Sequence, residues 1–174
     1  MEGVTIRAVT ADDAAALPVF GRRVFDDVFG PDSDPRDMAA YLDEAFHPDV
    51  QRREILDTGS IWLVAETARG EPFGVVHIVQ SPAPACVTGA DAIELKRLYV
   101  DPREHGRGTG KRLLDEGIAR ARAAGAATIW LGVWERNIKA QRFFRREGFE
   151  PAGEHAFVLG TDVQTDWIMQ RPIA

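Results

Sequence analysis

Residues 98–114, LYVDPREHGRGTGKRLL, constrain the fold more than any other part of the chain. An apolar, β-prone run ends at Asp101-Pro102, because proline cannot continue a hydrogen-bonded ladder. Glycine then recurs at 106, 108 and 110, and a helix follows in which Leu113, Leu114, Gly117, Ile118 and Ala121 form one apolar stripe. A strand entering a helix through alternating glycines brings backbone close to a ligand. The first N–H groups of the helix, which have no partner within it, make a natural cradle for an anion. Two common phosphate motifs do not fit. A P-loop would need glycine where His105 stands and Ser or Thr where Arg112 stands, and a dinucleotide fingerprint needs a G-x-G-x-x-G spacing.

The flanking sequence sorts into short elements. Residues 4–9 alternate like a strand, and Thr10 is placed to cap a helix reaching about residue 25. Asp34-Pro35 opens a second helix with Met38, Tyr41, Leu42 and Ala45 at helical spacing. His47-Pro48 ends that helix, and a shorter one reaches about residue 56. Strands are predicted at 60–66 and 73–80 with a turn at Gly70, and residues 81–84 (SPAP) read as loop. Residues 93–100 form the strand before the glycine turn, and Gly125 stops the helix after it. A strand at 128–134, a helix capped by Asn137 and closed by Gly148, and strands at 149–159 and 163–170 complete the chain. Local hairpins with one βαβ crossover predict an α+β, three-layer α/β/α domain: a mixed, mostly antiparallel sheet of about seven strands with about four helices.

With 174 residues, 45% of them apolar, the chain is sized for one domain spanning residues 1–174. Its single cysteine, Cys86, forbids an internal disulfide, and four scattered histidines match no zinc spacing, so no metal is expected. No apolar run approaches the ~20 residues of a membrane span. The start, Met1 to Thr5, lacks a basic-then-apolar secretory pattern. A cytoplasmic protein without membrane association is expected. Charge is uneven: residues 96–146 carry 13 basic and 5 acidic side chains, net +8, within a chain of net −6. A basic middle in an acidic protein suits a small polyanion, while the −14 elsewhere argues against nucleic acid.

On these residues the chain resembles the GCN5-related N-acetyltransferases, whose signature is Gln or Arg, two residues, Gly, one residue, then Gly or Ala. The preferred register sets His105 at the Gln/Arg position and Gly108 and Gly110 at the glycines. A shifted match from Arg103 through Gly106 to Gly108 puts the helix stripe out of phase. The likeness extends to Ile6-Arg7-Ala8, to Phe73-Gly74-Val75-Val76, and to Asn137, Ala140, Gly148 and Phe149. Residues 130–135 with Asn137, and the tail 153–160 with Gln164-Thr165-Asp166 and Ile168-Met169, are similar to the PaiA-type polyamine acetyltransferases within that family.

The resemblance implies acetyl-CoA as co-substrate. Leu98, Tyr99 and Val100 would run along its thioester and pantetheine, the Leu98 N–H polarising the acetyl carbonyl. His105, Gly106, Arg107, Gly108, Thr109, Gly110 and Lys111, with Arg112 adding charge, would hold the pyrophosphate. Asn137 would lie beside the pantetheine, and Arg142 and Arg145 are placed to reach phosphate. Glu94, eleven residues before His105 and sharing the alternation of Leu98 and Val100, stands where several members place a general base. An aliphatic ammonium and a free glutamate differ by about 8 kcal/mol in proton affinity, so Glu94 would position a relaying water. The tyrosine that usually protonates the departing thiolate is replaced by Phe144. Direct departure costs only about 2 kcal/mol at neutral pH.

The implied activity is direct acetyl transfer to a primary amine, with a polyamine as acceptor. Residues 1–57, with 13 acids against 6 bases including Asp26, Asp27, Asp32, Asp34 and Asp37, would supply an acidic acceptor wall. Another small amine, a protein N-terminus, or a non-catalytic acyl-CoA-binding role stay open as alternatives. A homodimer through an exposed late strand is compatible with the pattern.

Overall fold

The computed structural model describes residues 5–174, so Val4 and the start of the chain on which the secretory reading rests lie outside the described residues. Seven strands form one sheet: β1 (Thr5–Ala8), β2 (Ile61–Glu66), β3 (Pro72–Val79), β4 (Ala92–Val100), β5 (Thr128–Trp134), β6 (Glu150–Leu159) and β7 (Asp162–Pro172). Their spatial order is β1-β2-β3-β4-β5-β7-β6, antiparallel throughout except for the β4–β5 pair. The helices are α1 (Ala16–Phe29), α2 (Pro35–Ala45), α3 (Pro48–Leu56), α4 (Thr109–Ala123) and α5 (Ile138–Arg146).

The α+β, three-layer expectation holds, with the short α3 as a fifth helix. One correction concerns the first helix. Thr10 caps a separate 3-10 turn at Ala11–Ala14, where Asp13 returns a bond to the Thr10 N–H (2.7 Å) and also pairs with Arg7. The α-helix proper starts at Ala16 and runs on to Phe29. The extra turn is driven by packing: the rings of Phe25 and Phe29 lie tilted against each other, centroids 4.4 Å apart, and Phe29 leans on Trp134.

The two faces of the sheet bury different residues. On one, α4 and α5 press Leu113, Leu114, Ile118 and Phe144 against Leu63, Val76, Leu95, Ile129, Leu131 and Val133. On the other, α1 sets Leu17, Phe20 and Val24 on Val64 and Val75, and Phe25, Met38, Leu42 and Phe46 close around Leu159. Each fully buried aliphatic side chain of this kind stabilises by roughly 1.5–3 kcal/mol. Gly74 and Gly117 let α4 sit close on β3, since a Cβ at either would come within 2.9 Å of Leu113 or Ile78.

Two irregularities position the site. β4 and β5 are paired only at Ala92–Thr128, Ile93–Ile129 and Glu94–Trp130, and beyond those three pairs the strands part. The β3–β4 register also slips between His77–Arg97 and Ile78–Leu95, leaving Lys96 as an extra residue bulged from β4.

No helix among the described residues is long and apolar enough to cross a membrane. Among those residues no group of three or more His, Cys, Asp or Glu could hold a metal ion. β6 is an edge of the sheet, with Val158 exposed on it.

Candidate active site

A cavity of about 720 Å³ passes through the sheet where β4 and β5 diverge. Its walls on the two strands are Leu95 to Val100 and Leu131 to Trp134. One end opens on the α4–α5 face at the glycine turn. The other lies on the α1–α2 face, walled by Val28, Phe29, Tyr41 and Phe157.

The turn follows from its sequence. Asp101, only 2% exposed, caps the short 3-10 turn Pro102–Glu104 and is gripped by Arg103 and Arg23, each at 2.7 Å. Those hydrogen bonds hold its carboxyl well below the usual carboxylate range. Gly106 and Gly108 take left-handed φ values of +80° and +83°, and a Cβ at either would meet no protein atom within 4 Å. Both border open space, and both line the cavity. Gly108 caps α4, and the Arg112 N–H bonds back to its carbonyl (3.0 Å). The N–H groups of Thr109, Gly110 and Lys111 precede the first intrahelical bond and have no partner within the helix. With the positive end of the helix dipole behind them they form an anion cradle.

Two cations at the cradle are paired with carboxylates: Arg107 with Glu104 (3.1 Å), and Lys111 with Asp115 (3.0 Å) and Glu147 (3.1 Å). Exposed pairs of this sort contribute little stability and reorganise readily around a polyanion. His105 lies at the same end with its ring fixed. Nε2 donates to the Val100 carbonyl (2.9 Å), leaving Nδ1 to accept from Lys139 Nζ (2.6 Å). Asn137 caps α5 by accepting from the Ala140 N–H (3.1 Å) and also lines the cavity.

Along β4, the Asp101 N–H bonds to the Phe73 carbonyl on β3 (2.8 Å). Main-chain groups alternate direction along a strand, so the N–H groups of Leu98 and Val100 point away from β3, into the gap. Their side chains pack with the α4–α5 core. Tyr99 faces the other way, near Phe25 and Tyr41, and burial raises its hydroxyl pKa. Phe144 is buried edge-on to Phe143 and Phe149 and forms part of the cavity wall.

The structure brings together Leu98, Tyr99, Val100, His105, Gly106, Gly108, Thr109, Gly110, Lys111, Asn137 and Phe144 around one cavity. Arg107 stands on the same turn with its guanidinium on Glu104.

Four expectations are corrected. Glu94 does not share the face of Leu98 and Val100, because the Lys96 bulge reverses the alternation; Leu95 points with Leu98 instead. Glu94 accepts from Ser81 Oγ (2.6 Å) and lies one residue short of the cavity wall. Arg146, not Arg142 or Arg145, reaches the wall from α5. None of Asp26, Asp27, Asp32, Asp34 and Asp37 lines the cavity: Asp34 caps α2, Asp37 bonds the Thr161 N–H (2.7 Å), and Asp27 pairs with Arg23.

Beyond the glycine turn the lining carboxylate is Asp166 on β7, which the sequence pattern did not single out. Gly132, Tyr41 and Lys139 were also missed. One signal available in the sequence was a lone glycine within an otherwise apolar strand, which marks a close approach.

A strand-to-helix anion cradle is thus joined through a split sheet to an apolar chamber. The acetyltransferase (GNAT) family model matches residues 24–149. An uncharacterised N-acetyltransferase from the pepI 3′ region of Lactobacillus delbrueckii subsp. lactis is 32% identical over 173 residues, covering 99% of both chains. The spermine/spermidine N(1)-acetyltransferase of Bacillus subtilis is 38% identical over 64 residues, 36% of this chain and 42% of its own. Among solved structures, the PaiA N-acetyltransferase of Thermoplasma acidophilum in complex with coenzyme A superposes with a TM-score of 0.78 at 20% identity, covering 98% of this chain and 99% of that one.

The chain belongs to the GNAT acetyltransferase family. As a member it is an acyltransferase whose co-substrate is acetyl-CoA.

Proposed function

We propose that the chain transfers the acetyl group of acetyl-CoA to the primary amine of a small aliphatic acceptor, with the polyamines spermidine and spermine as lead acceptors. The observation that carries this reading is the single cavity joining the glycine cradle on one face to an aromatic chamber on the other, through the gap between β4 and β5. The pyrophosphate would sit on the N–H groups of Thr109, Gly110 and Lys111. The thioester would then lie against the gap-facing Leu98 N–H, a donor positioned for the oxyanion. Rings of Phe25, Phe29, Tyr41 and Phe157 surround the acceptor and exclude water. The amine attacks within a ternary complex, without a covalent enzyme intermediate, and the thiolate leaves for about 2 kcal/mol at neutral pH.

Support for polyamines comes from the Bacillus subtilis relative and from the acceptor end holding a carboxylate, Asp166. A second reading, a monoamine with an apolar body, draws on that carboxylate standing alone among aromatic rings, with the early acids engaged elsewhere. Thiol release from acetyl-CoA over spermidine, spermine, apolar monoamines, aminoglycosides, amino acids and an N-terminal peptide decides between them. Spermidine or spermine is expected to exceed the other classes at least tenfold in kcat/KM. Preference for a monoamine favours the second reading, and silence with every amine ends both. The free edge at β6 is where a second copy would pair, and light scattering measures whether it does.

A further inference from the structure

We propose that Asp166, backed by His155, is the group that takes the proton from the attacking amine. The proposal rests on the reading that an amine occupies the aromatic chamber.

His155 and Asp166 are directly opposite on β6 and β7, with Nε2 and Oδ2 3.9 Å apart. Gly132 on β5 stands in front of them: a Cβ there would lie 3.2 Å from Asp166 Oδ2 and 3.2 Å from His155 Nε2. Any larger residue would press on the pair, so glycine keeps it open to the gap beside β4. The Asp166 side chain is only 14% exposed, and it lines the cavity that holds Leu98.

The other carboxylates near the cavity are committed. Glu104 and Glu147 sit at the glycine turn on Arg107 and Lys111, and Glu54 is held by Arg97 (2.6 Å) and Lys96 (2.6 Å). Glu94 is bound by Ser81 outside the cavity wall. The groups that titrate around Asp166 are His155 from β6 and Tyr41 from α2, while β4 brings Arg97 and Tyr99 to the same cavity. β5 contributes Gly132 and Trp134, neither of which titrates.

Burial pushes the Asp166 carboxyl up to about 6, and His155 opposes this. A base in that range stands about four decades below an aliphatic ammonium, where an ordinary glutamate stands about six below. In the step, the nitrogen lone pair forms the C–N bond and the C–S bond breaks. The acetyl group passes from sulfur to nitrogen, the electron pair leaves on sulfur, and one proton moves from nitrogen to Asp166 Oδ2. His155 acts through Asp166 and is a positioning residue.

The test uses the full chain with acetyl-CoA and the best amine of the panel, measuring kcat and KM against pH by thiol release. Native kcat is expected to fall below about pH 6, and Asp166→Asn to lower kcat at least 100-fold and abolish that limb. Its affinity for acetyl-CoA by calorimetry should stay within twofold, which shows that the cradle is folded. His155→Gln is expected to move that limb to higher pH, since a group that lowers the Asp166 pKa is gone. Asp166→Asn with kcat within threefold of native, a change in amine KM alone, or a persisting limb overturns the proposal. A His155→Gln limb at the native pH overturns the pairing. Absence of native turnover with every amine defeats the amine reading itself and the proposal with it, and is told apart because the native chain then fails too.

Discussion

Leu95 and Leu98, three residues apart on one strand, point into the same core, because Lys96 bulges between them and resets the alternation of β4. One inserted residue thus sets Glu94 on the face opposite Leu98, and the cavity wall on β4 begins at the next residue, Leu95. The same slip, with the parting of β5, leaves the Leu98 and Val100 N–H groups facing a gap.

Glu94→Gln is therefore expected to change kcat less than twofold at any pH from 6 to 9. The Ser81 hydroxyl that donates to Glu94 (2.6 Å) can equally donate to the amide oxygen of glutamine, so the fold is retained. Steady-state thiol release across that pH range checks it, and a large kcat loss would return Glu94 to the reaction.

At Gly108 the backbone has φ +83° and a Cβ would meet no protein atom. Gly108→Ala is expected to cost about 1–2 kcal/mol in stability through the left-handed conformation alone. It should weaken acetyl-CoA at least tenfold, because the residue lines the cavity and its left-handed conformation sets the start of α4. Thermal denaturation and calorimetry separate the two effects, and undiminished acetyl-CoA affinity would remove the turn from the binding site.

Phe144→Tyr supplies a hydroxyl where the chain has none. Since thiolate departure is already accessible at about 2 kcal/mol, the substitution is expected to raise kcat less than threefold. A rise of tenfold or more in single-turnover rate would show that protonation of the leaving group is limiting.

Asp166 also makes a prediction about stability, independent of turnover. Its folded pKa of about 6 lies above the unfolded value of about 4, so the native state binds this proton more tightly than the unfolded chain. Below about pH 4 both states are protonated and the site is neutral in its effect. Above about pH 6 the buried charge lowers stability by about 2–3 kcal/mol. Asp166→Asn should raise Tm at pH 7.5 and leave it nearly unchanged at pH 4, as measured by calorimetry in matched ionic strength. Such a gain on removal is the usual mark of a group kept for chemistry rather than for folding.

Much of this architecture was legible in the chain. Asp101-Pro102 and the glycines announced the strand end and the helix start, and Leu113, Leu114, Ile118 and Ala121 announced the buried face of α4, because those signals are local. The bulge was not legible, since no residue type marks Lys96 as extra; it exists only as an offset between β3 and β4. Asp166 escaped for a similar reason. Its environment is assembled from β5 and α2, which are distant in sequence, as well as from the adjoining β6, and an aspartate in a polar tail carries no signature of burial. The early acids misled because composition records charge without direction. Asp34 and Asp37 are spent on a helix cap and on Thr161.

The three pairs joining β4 to β5 act like the closed end of a zip, fixing how wide the strands stand apart farther on. Residues beyond that seam carry no ladder obligation toward the neighbouring strand. Their facing main-chain groups are left for a bound molecule, while the fastening that sets the aperture stays untouched.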